Sequence, residues 1–182
     1  MSWQIDPVHS HIQFTVRHMM IAKVRGSFET FSGMVNFVED NPMQSIVEVD
    51  IDAASVNTRE EQRDNHLRSG DFLDVENYPQ MTYVCRRIEQ DDPNNGRLIG
   101  DLTIRDVTNE VVLDVHFVGK AVSPWGTESA GFEASTTISR KDWGLEWNQA
   151  LETGGWLVGD KVKIDIDLEI VKVPEEEAEA TA

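Results

Sequence analysis

Apolar and polar residues alternate one for one along most of this chain, and few architectures accommodate that pattern. A period of two places apolar side chains on one face of an extended strand and polar ones on the other. Ile12, Phe14 and Val16 alternate with Gln13, Thr15 and Arg17, and Val47, Val49, Ile51 and Ala53 with Glu48, Asp50 and Asp52. The rhythm continues through Leu98, Gly100, Leu102 and Ile104, then Val111, Leu113, Val115 and Phe117, then Phe132, Ala134, Thr136 and Ile138. It is cleanest in Val162, Ile164, Ile166, Leu168 and Ile170. Between Phe28 and Phe37 the apolar parity changes, from Val24, Gly26 and Phe28 on even numbers to Phe31, Gly33, Val35 and Phe37 on odd ones. A bulge or bend near Phe31 to Gly33 is expected there.

Turn signals separate the runs: Asp40-Asn41-Pro42, Asp91 to Gly96, Asp106 to Asn109, and Ser123-Pro124-Trp125-Gly126. Connections this short predict antiparallel neighbours. About eight strands with one apolar face each bury those faces either as a sandwich or as a sheet closed on itself, and closure also removes both exposed edges. Near eight strands, a barrel interior is either just filled by side chains or just wide enough for one small ligand. Strand count therefore leaves a filled core and a binding cavity both open.

Only two places read as helical. Thr58-Arg59-Glu60-Glu61 fits a capping box that opens a helix through about Leu67, and Ser139-Arg140-Lys141-Asp142 caps a single turn ending near Gly144. The expected fold class is thus all-β, an antiparallel barrel of about eight strands with one or two short helices. The segment from Arg59 to Asp74 mixes charges of both signs with Leu67, Phe72 and Leu73, and is expected to fold against one end of the barrel. It is either an ion-paired cap or a lid bordering a ligand, with Arg63, Asp64, His66, Leu67 and Phe72 as the portal candidates. From Pro174 the composition becomes Glu-Glu-Glu-Ala-Glu-Ala-Thr-Ala, a solvated, disordered tail or else an acidic docking segment. The expected division is one barrel domain over 1–173 and a tail over 174–182.

A domain of 182 residues buries roughly 70% of the surface its unfolded chain exposes, so it needs no disulfides. The single cysteine, Cys85, lies in the alternating run Met81-Thr82-Tyr83-Val84-Cys85 and reads as a reduced, half-buried thiol. A formal net charge of −17 opposes binding to nucleic acid or to anionic lipid surfaces. Charges interrupt every hydrophobic run, so no membrane-inserted segment is expected. Met1 runs straight into Trp3-Gln4-Ile5-Asp6 and the first strand pattern, without the basic and apolar regions of a signal peptide. A cytoplasmic location is expected, or a periplasmic one if a leader has been removed.

Signs of chemistry are sparse. His9 and His11 share a strand face, but Ile12, Phe14 and Val16 claim the buried side, so the histidines belong to solvent and no metal site is expected. His116 lies opposite to Val115 and Phe117, while His18 and His66 have no His or Cys at ligand spacing. No nucleophile elbow, kinase pattern or phosphate-cradling glycine loop is present. Acid pairs such as Asp50 with Asp52 carry little information among 33 acids.

Several motifs are nonetheless distinctive. His9-Ser10-His11-Ile12-Gln13-Phe14-Thr15-Val16-Arg17-His18 is followed by Val24-Arg25-Gly26-Ser27-Phe28 and Phe31-Ser32-Gly33. Ser55-Val56-Asn57-Thr58 precedes Arg63-Asp64-Asn65-His66-Leu67-Arg68-Ser69-Gly70-Asp71-Phe72-Leu73-Asp74 and Tyr78-Pro79. Gly96-Arg97-Leu98, Gly100 to Arg105 with Val107-Thr108, and Phe132-Glu133-Ala134 leading to Ser139-Arg140-Lys141-Asp142-Trp143-Gly144 complete the series. The set resembles the YceI-like family over nearly the whole chain except the acidic tail. That resemblance implies a lipocalin-like barrel with a polyisoprenoid chain in a hydrophobic tunnel, commonly as a homodimer, and implies no catalytic residues and no cofactor.

Parity in this sequence nominates the tunnel lining: Ile12, Phe14, Val16, Phe28, Val35, Phe37, Val47, Val49, Ile51, Met81, Tyr83, Leu102, Ile104, Val115, Phe117, Phe132, Val162, Ile164, Ile166 and Leu168. The expected function is to sequester or carry an isoprenoid lipid, such as a quinone or polyprenyl phosphate, without chemistry on it. One rival is an enzyme using a small barrel cavity, for which parity places few polar groups inside, namely Tyr83, Thr136 and Ser10. The other is a filled-core interaction module.

Overall fold

The computed structural model describes residues 2–174, so the acidic tail lies almost entirely outside the described residues. Among the described residues there are eleven strands: β1 (Ser2–Ile5), β2 (His11–His18), β3 (Ala22–Phe28), β4 (Phe31–Asn36), β5 (Ile46–Asp52), β6 (Val56–Asn57), β7 (Gln80–Asp92), β8 (Asn95–Ile104), β9 (Val107–Val122), β10 (Glu128–Ser139) and β11 (Val158–Val173). One α-helix, α1 (Glu61–Arg68), and three short 3-10 turns accompany them.

Strands β7 to β11 form an antiparallel meander. β11 is long enough to take β2 beside its first part, Ile164 opposite Phe14, and β1 beside its last, Ile170 opposite Ile5. β2 pairs with β3 and β1 with β4, and these pair in turn with β6 and β5. Consecutive short strands thus serve as two halves of one stave. Eight staves close the ring, and the sheet keeps no free edge along the closure.

The parity change has its cause in this arrangement. It falls at Glu29-Thr30, just before the expected bulge at Phe31 to Gly33, because the chain there leaves β3 for β4. Phe28 pairs with Val56 but Phe31 with Ile51, so the register slips at the joint between half-staves. Gly26 sits opposite Phe14 on the neighbouring strand, and a Cβ there would lie 2.4 Å from Phe14 Cζ, so the phenyl ring would have to shift.

The helix begins later than the expected capping box. Glu60 is the N-cap, its carboxylate accepting from the Arg63 N–H at 2.5 Å. Thr58 is already committed elsewhere: its N–H and hydroxyl both donate to Asp64 Oδ1, at 2.9 and 2.6 Å. The turn at Arg140–Trp143 forms as expected and stops at Gly144, whose φ of 78° suits a residue without a Cβ.

Packing is tightest towards the two ends. Met81, Tyr83, Leu102, Ile104, Trp143 and Leu145 form one buried cluster, and Trp3, Val35, Ala130 and Ile170 the other. Cys85 is free and half-buried, its thiol donating to the Arg87 carbonyl at 3.4 Å. No helix among the described residues is long and apolar enough to cross a membrane.

Candidate functional site: an apolar tunnel through the barrel

Inward alternation on a ring of this size leaves space between the clusters. The interior holds a cavity of about 1070 Å³. Every one of the lining positions nominated from parity borders it, from Ile12, Phe14 and Val16 on β2 to Val162, Ile164, Ile166 and Leu168 on β11. Mid-barrel side chains such as Val49, Ile164 and Ile166 are only half-buried although they point inward, because they face open space. Ile170, on the same strand but in the packed cluster, has 0% of its surface exposed.

The portal candidates divide. Arg63, His66, Leu67 and Phe72 border the cavity, whereas Asp64 does not. Asp64 is buried beneath them, and the Thr58 hydroxyl that donates to it also accepts from Arg63 Nε at 2.7 Å. Its role is to anchor α1 to the strap after β6. Asp64 thus lies beneath the portal rather than on it, because its carboxylate is held by the N–H and hydroxyl of Thr58. His66 stands edge-on to Phe72 and Trp147, with ring centroids 5.1 and 4.5 Å away.

Residues beyond the nominated set complete the wall. Leu98, Leu113, Ala134 and Ile138 lie in the same alternating runs and were legible there. Leu145, Trp147 and Leu157 come from the irregular segment before β11, which has no periodicity to reveal them. Arg140 borders the cavity with only 4% of its surface exposed. Its guanidinium donates to the carbonyls of Leu145, Trp147 and Gly159 at 2.5, 3.0 and 2.9 Å, tying that segment across the barrel end. Burial pulls it below the usual arginine range, while Asp160 nearby pulls the other way.

The polar groups expected inside are internally satisfied or displaced. Ser10 Oγ donates to the Glu169 carbonyl and accepts from the Glu169 N–H, at 3.3 and 3.0 Å. The Tyr83 hydroxyl donates to the Val111 carbonyl at 3.1 Å, with that of Leu98 at 3.2 Å, and burial pushes its titration far above the ordinary phenol range. Thr136 does not reach the cavity. The mid-section is lined mainly by apolar side chains and can hold hydrocarbon.

Charge sits at the two ends, with opposite character. Around α1 the rim carries Arg17, His18, Arg63 and His66 with Glu60. At the far end it carries Glu39, Asp40, Glu89 and Asp92, and its cations are engaged: Lys120 with Glu39 and Glu128, Arg97 with Glu89 and Asp91. Phe37, Phe117 and Phe132 touch one another at this far end, with Trp3 against Phe37.

The histidine pair does not converge. His9 Nδ1 lies 2.7 Å from Asp6 Oδ2 and 3.8 Å from Glu169 Oε2, while His11 is exposed. His116 Nδ1 meets Asn95 Oδ1 at 2.8 Å on the outer face.

A closed antiparallel barrel around an apolar tunnel, with most of its charge at the rims, defines a lipocalin-like class of protein. Residues 3–170 match the YceI-like domain, and the chain belongs to the YceI-like family. A UPF0312 protein of Staphylococcus epidermidis is 39% identical over 169 residues, covering 92% of this chain and 95% of that one. The crystal structure of the Campylobacter jejuni YceI protein superposes with a TM-score of 0.76 at 31% identity, covering 87% of this chain and 90% of its own. Burkholderia cenocepacia BcnA shares the fold, with a TM-score of 0.79 at 24% identity over 91% and 98% of the two chains. So does a polyisoprenoid binding domain from Saccharophagus degradans, with 0.68 at 16% identity over 96% and 99%.

Proposed function

We propose that this protein encloses one long apolar lipid of the isoprenoid type and carries or sequesters it unchanged. The observation that carries the reading is the cavity of about 1070 Å³ walled mainly by apolar side chains, with most of its charge at its ends. The description of the Saccharophagus degradans domain as polyisoprenoid-binding supports the same ligand class.

The magnitudes fit. An apolar cavity of roughly 150 Å³ holds one benzene, and this one is about seven times larger. It therefore has room for at most about 40 carbons, or eight isoprene units, part of that room lying in the mouths. At about 0.8 kcal/mol per methylene-sized group, one five-carbon unit contributes roughly 3 to 4 kcal/mol. Three or four units would give about 12 kcal/mol, near nanomolar, before ordering costs reduce it. The head group belongs at the α1 mouth, where Arg17 has no carboxylate partner among the described residues. Quinone and polyprenyl phosphate both satisfy the tunnel, and a homodimer accords with the family resemblance.

The test is a titration of delipidated protein with isoprenoid quinones of increasing chain length. Saturable binding of one chain per protein should strengthen with each added unit and level off once the tunnel is full. Affinity independent of chain length would refute the proposal. A prenyl phosphate of matched length should lose affinity in Arg17→Gln while the neutral quinone keeps it.

A further inference from the structure

A ligand of this kind cannot travel through water. Each exposed methylene-sized group costs about 0.8 kcal/mol, so a tunnel that holds several isoprene units must be filled from a lipid phase rather than from solution. The entry end should then carry a surface adapted to that phase.

The turn between β2 and β3 has this character. Met19, Met20 and Ile21 are 44%, 63% and 82% exposed, and Trp156, on the turn before β11, is 58% exposed. They form one patch: the Met19 N–H donates to the Leu157 carbonyl at 2.8 Å, and Met20 Sδ fills the space a Cβ on Gly155 would need. Met19 and Met20 both have positive φ, 52° and 64°, as the central pair of the turn closed by the Ile21 N–H donating to the His18 carbonyl, where Asn-Gly is the favoured pair. Neither backbone preference nor solvent favours two methionines at that tip.

The patch adjoins the α1 mouth, since its neighbours His18 and Leu157 border the cavity. Just behind the tip, Arg17 and Lys23 face each other across the β2–β3 pair, like charges at cross-strand contact with no carboxylate partner among the described residues. Like charges placed opposite one another destabilise a sheet pair, and an external anion relieves that repulsion. Two free cations behind an apolar tip, in a chain of net charge −17, match the order of groups met on entering a bilayer: phosphate outermost, hydrocarbon beneath. The other prominent tryptophan, Trp125, is 88% exposed but lies on the β9–β10 turn at the far end, where Lys120 and Lys172 are engaged by Glu39 and Glu128.

We propose that Met19, Met20, Ile21 and Trp156, backed by Arg17 and Lys23, form an interfacial prong that seats the α1 mouth on a phospholipid bilayer while the lipid passes into the tunnel. The inference rests on the carrier reading. It is tested with the full chain, delipidated, and phosphatidylcholine vesicles containing some phosphatidylglycerol and a long-chain isoprenoid quinone, following quinone transfer to protein and protein flotation with the vesicles. A variant carrying Met20→Ser, Ile21→Ser and Trp156→Ser removes surface at positions that do not border the tunnel. Its transfer should slow by at least about tenfold, given the apolar area lost. Its affinity for quinone delivered in detergent should be that of the parent, and Trp125→Ser should change neither quantity. Parent-like transfer by the triple variant, with detergent-delivered binding intact, overturns the prong. So does a change from dimer to monomer with transfer unaltered, which would make the patch an interface between copies. Failure of the parent protein to bind detergent-delivered quinone overturns the carrier reading and the prong together.

Discussion

Phenylalanine placed at Val49 or Ile164 should shorten the tunnel and leave the empty barrel about as stable as before. Val49 sits between Gly33 and Tyr83 on neighbouring strands and Ile164 between Phe14 and Thr136, and both side chains border the cavity. The added ring replaces an aliphatic side chain, so its net volume is about a third or less of the roughly 150 Å³ that holds one benzene, a small part of the 1070 Å³ present. It displaces about one or two methylene-sized groups of the chain, each worth about 0.8 kcal/mol when buried. The expected loss is therefore about 1 to 2 kcal/mol, roughly five- to 30-fold in affinity. In a filled core the same insertions force strained rotamers and cost about 1 to 3 kcal/mol of stability. Urea unfolding of delipidated protein separates the cases, since bound lipid would itself raise apparent stability. Ile170→Ala is the internal standard: Ile170 is fully buried with Trp3, Val35 and Ala130, and its truncation should cost about 2 to 5 kcal/mol. If both phenylalanine variants unfold more easily by that core-like margin while lipid binding stays intact, the interior is a packed core and the tunnel reading is wrong.

Asp64→Ala leaves the Thr58 N–H and hydroxyl without their buried acceptor, so a loss of about 1 to 3 kcal/mol in denaturant unfolding is expected; an unchanged midpoint would show that the anchor is dispensable. At the β1–β2 joint, the hydrogen bond with Asp6 holds the His9 imidazole above its ordinary 6.5, and the same bond holds the Asp6 carboxyl below 3.8. The histidine part of this stabilisation is complete below pH 6.5 and fades as pH rises through the raised value, while the aspartate part is present above pH 3.8 and fades as pH falls through the lowered one. Thermal melts of His9→Gln should therefore lack the alkaline-side decline of the parent, and identical pH profiles would contradict the ion pair.

Period-two alternation made the barrel and its lining legible because one side of each stave faces the interior and the other faces water. Parity cannot tell open space from packed core, however. Ile164 and Ile170 share a run and a face, yet one borders the cavity and the other is fully buried among aromatic and aliphatic neighbours. Breaks in the staves were legible only as a parity change at Phe28 to Phe31, since partner choice at that joint is set by strands distant in sequence. Asp64 and Arg140 were opaque for a related reason. Their partners are backbone groups and a hydroxyl whose positions depend on the folded ends of the barrel. Trp147 and Leu157 lie where the chain has no period at all, so nothing local marked them as wall residues.

Native mass spectrometry of the protein purified from a bacterial host tests the central claim most directly, because it weighs the chain together with whatever its tunnel holds. One long isoprenoid lipid per chain, released only on unfolding and restored by adding quinone to delipidated protein, is the predicted result. A lipid-free mass from the host, with no uptake of added quinone, would contradict it.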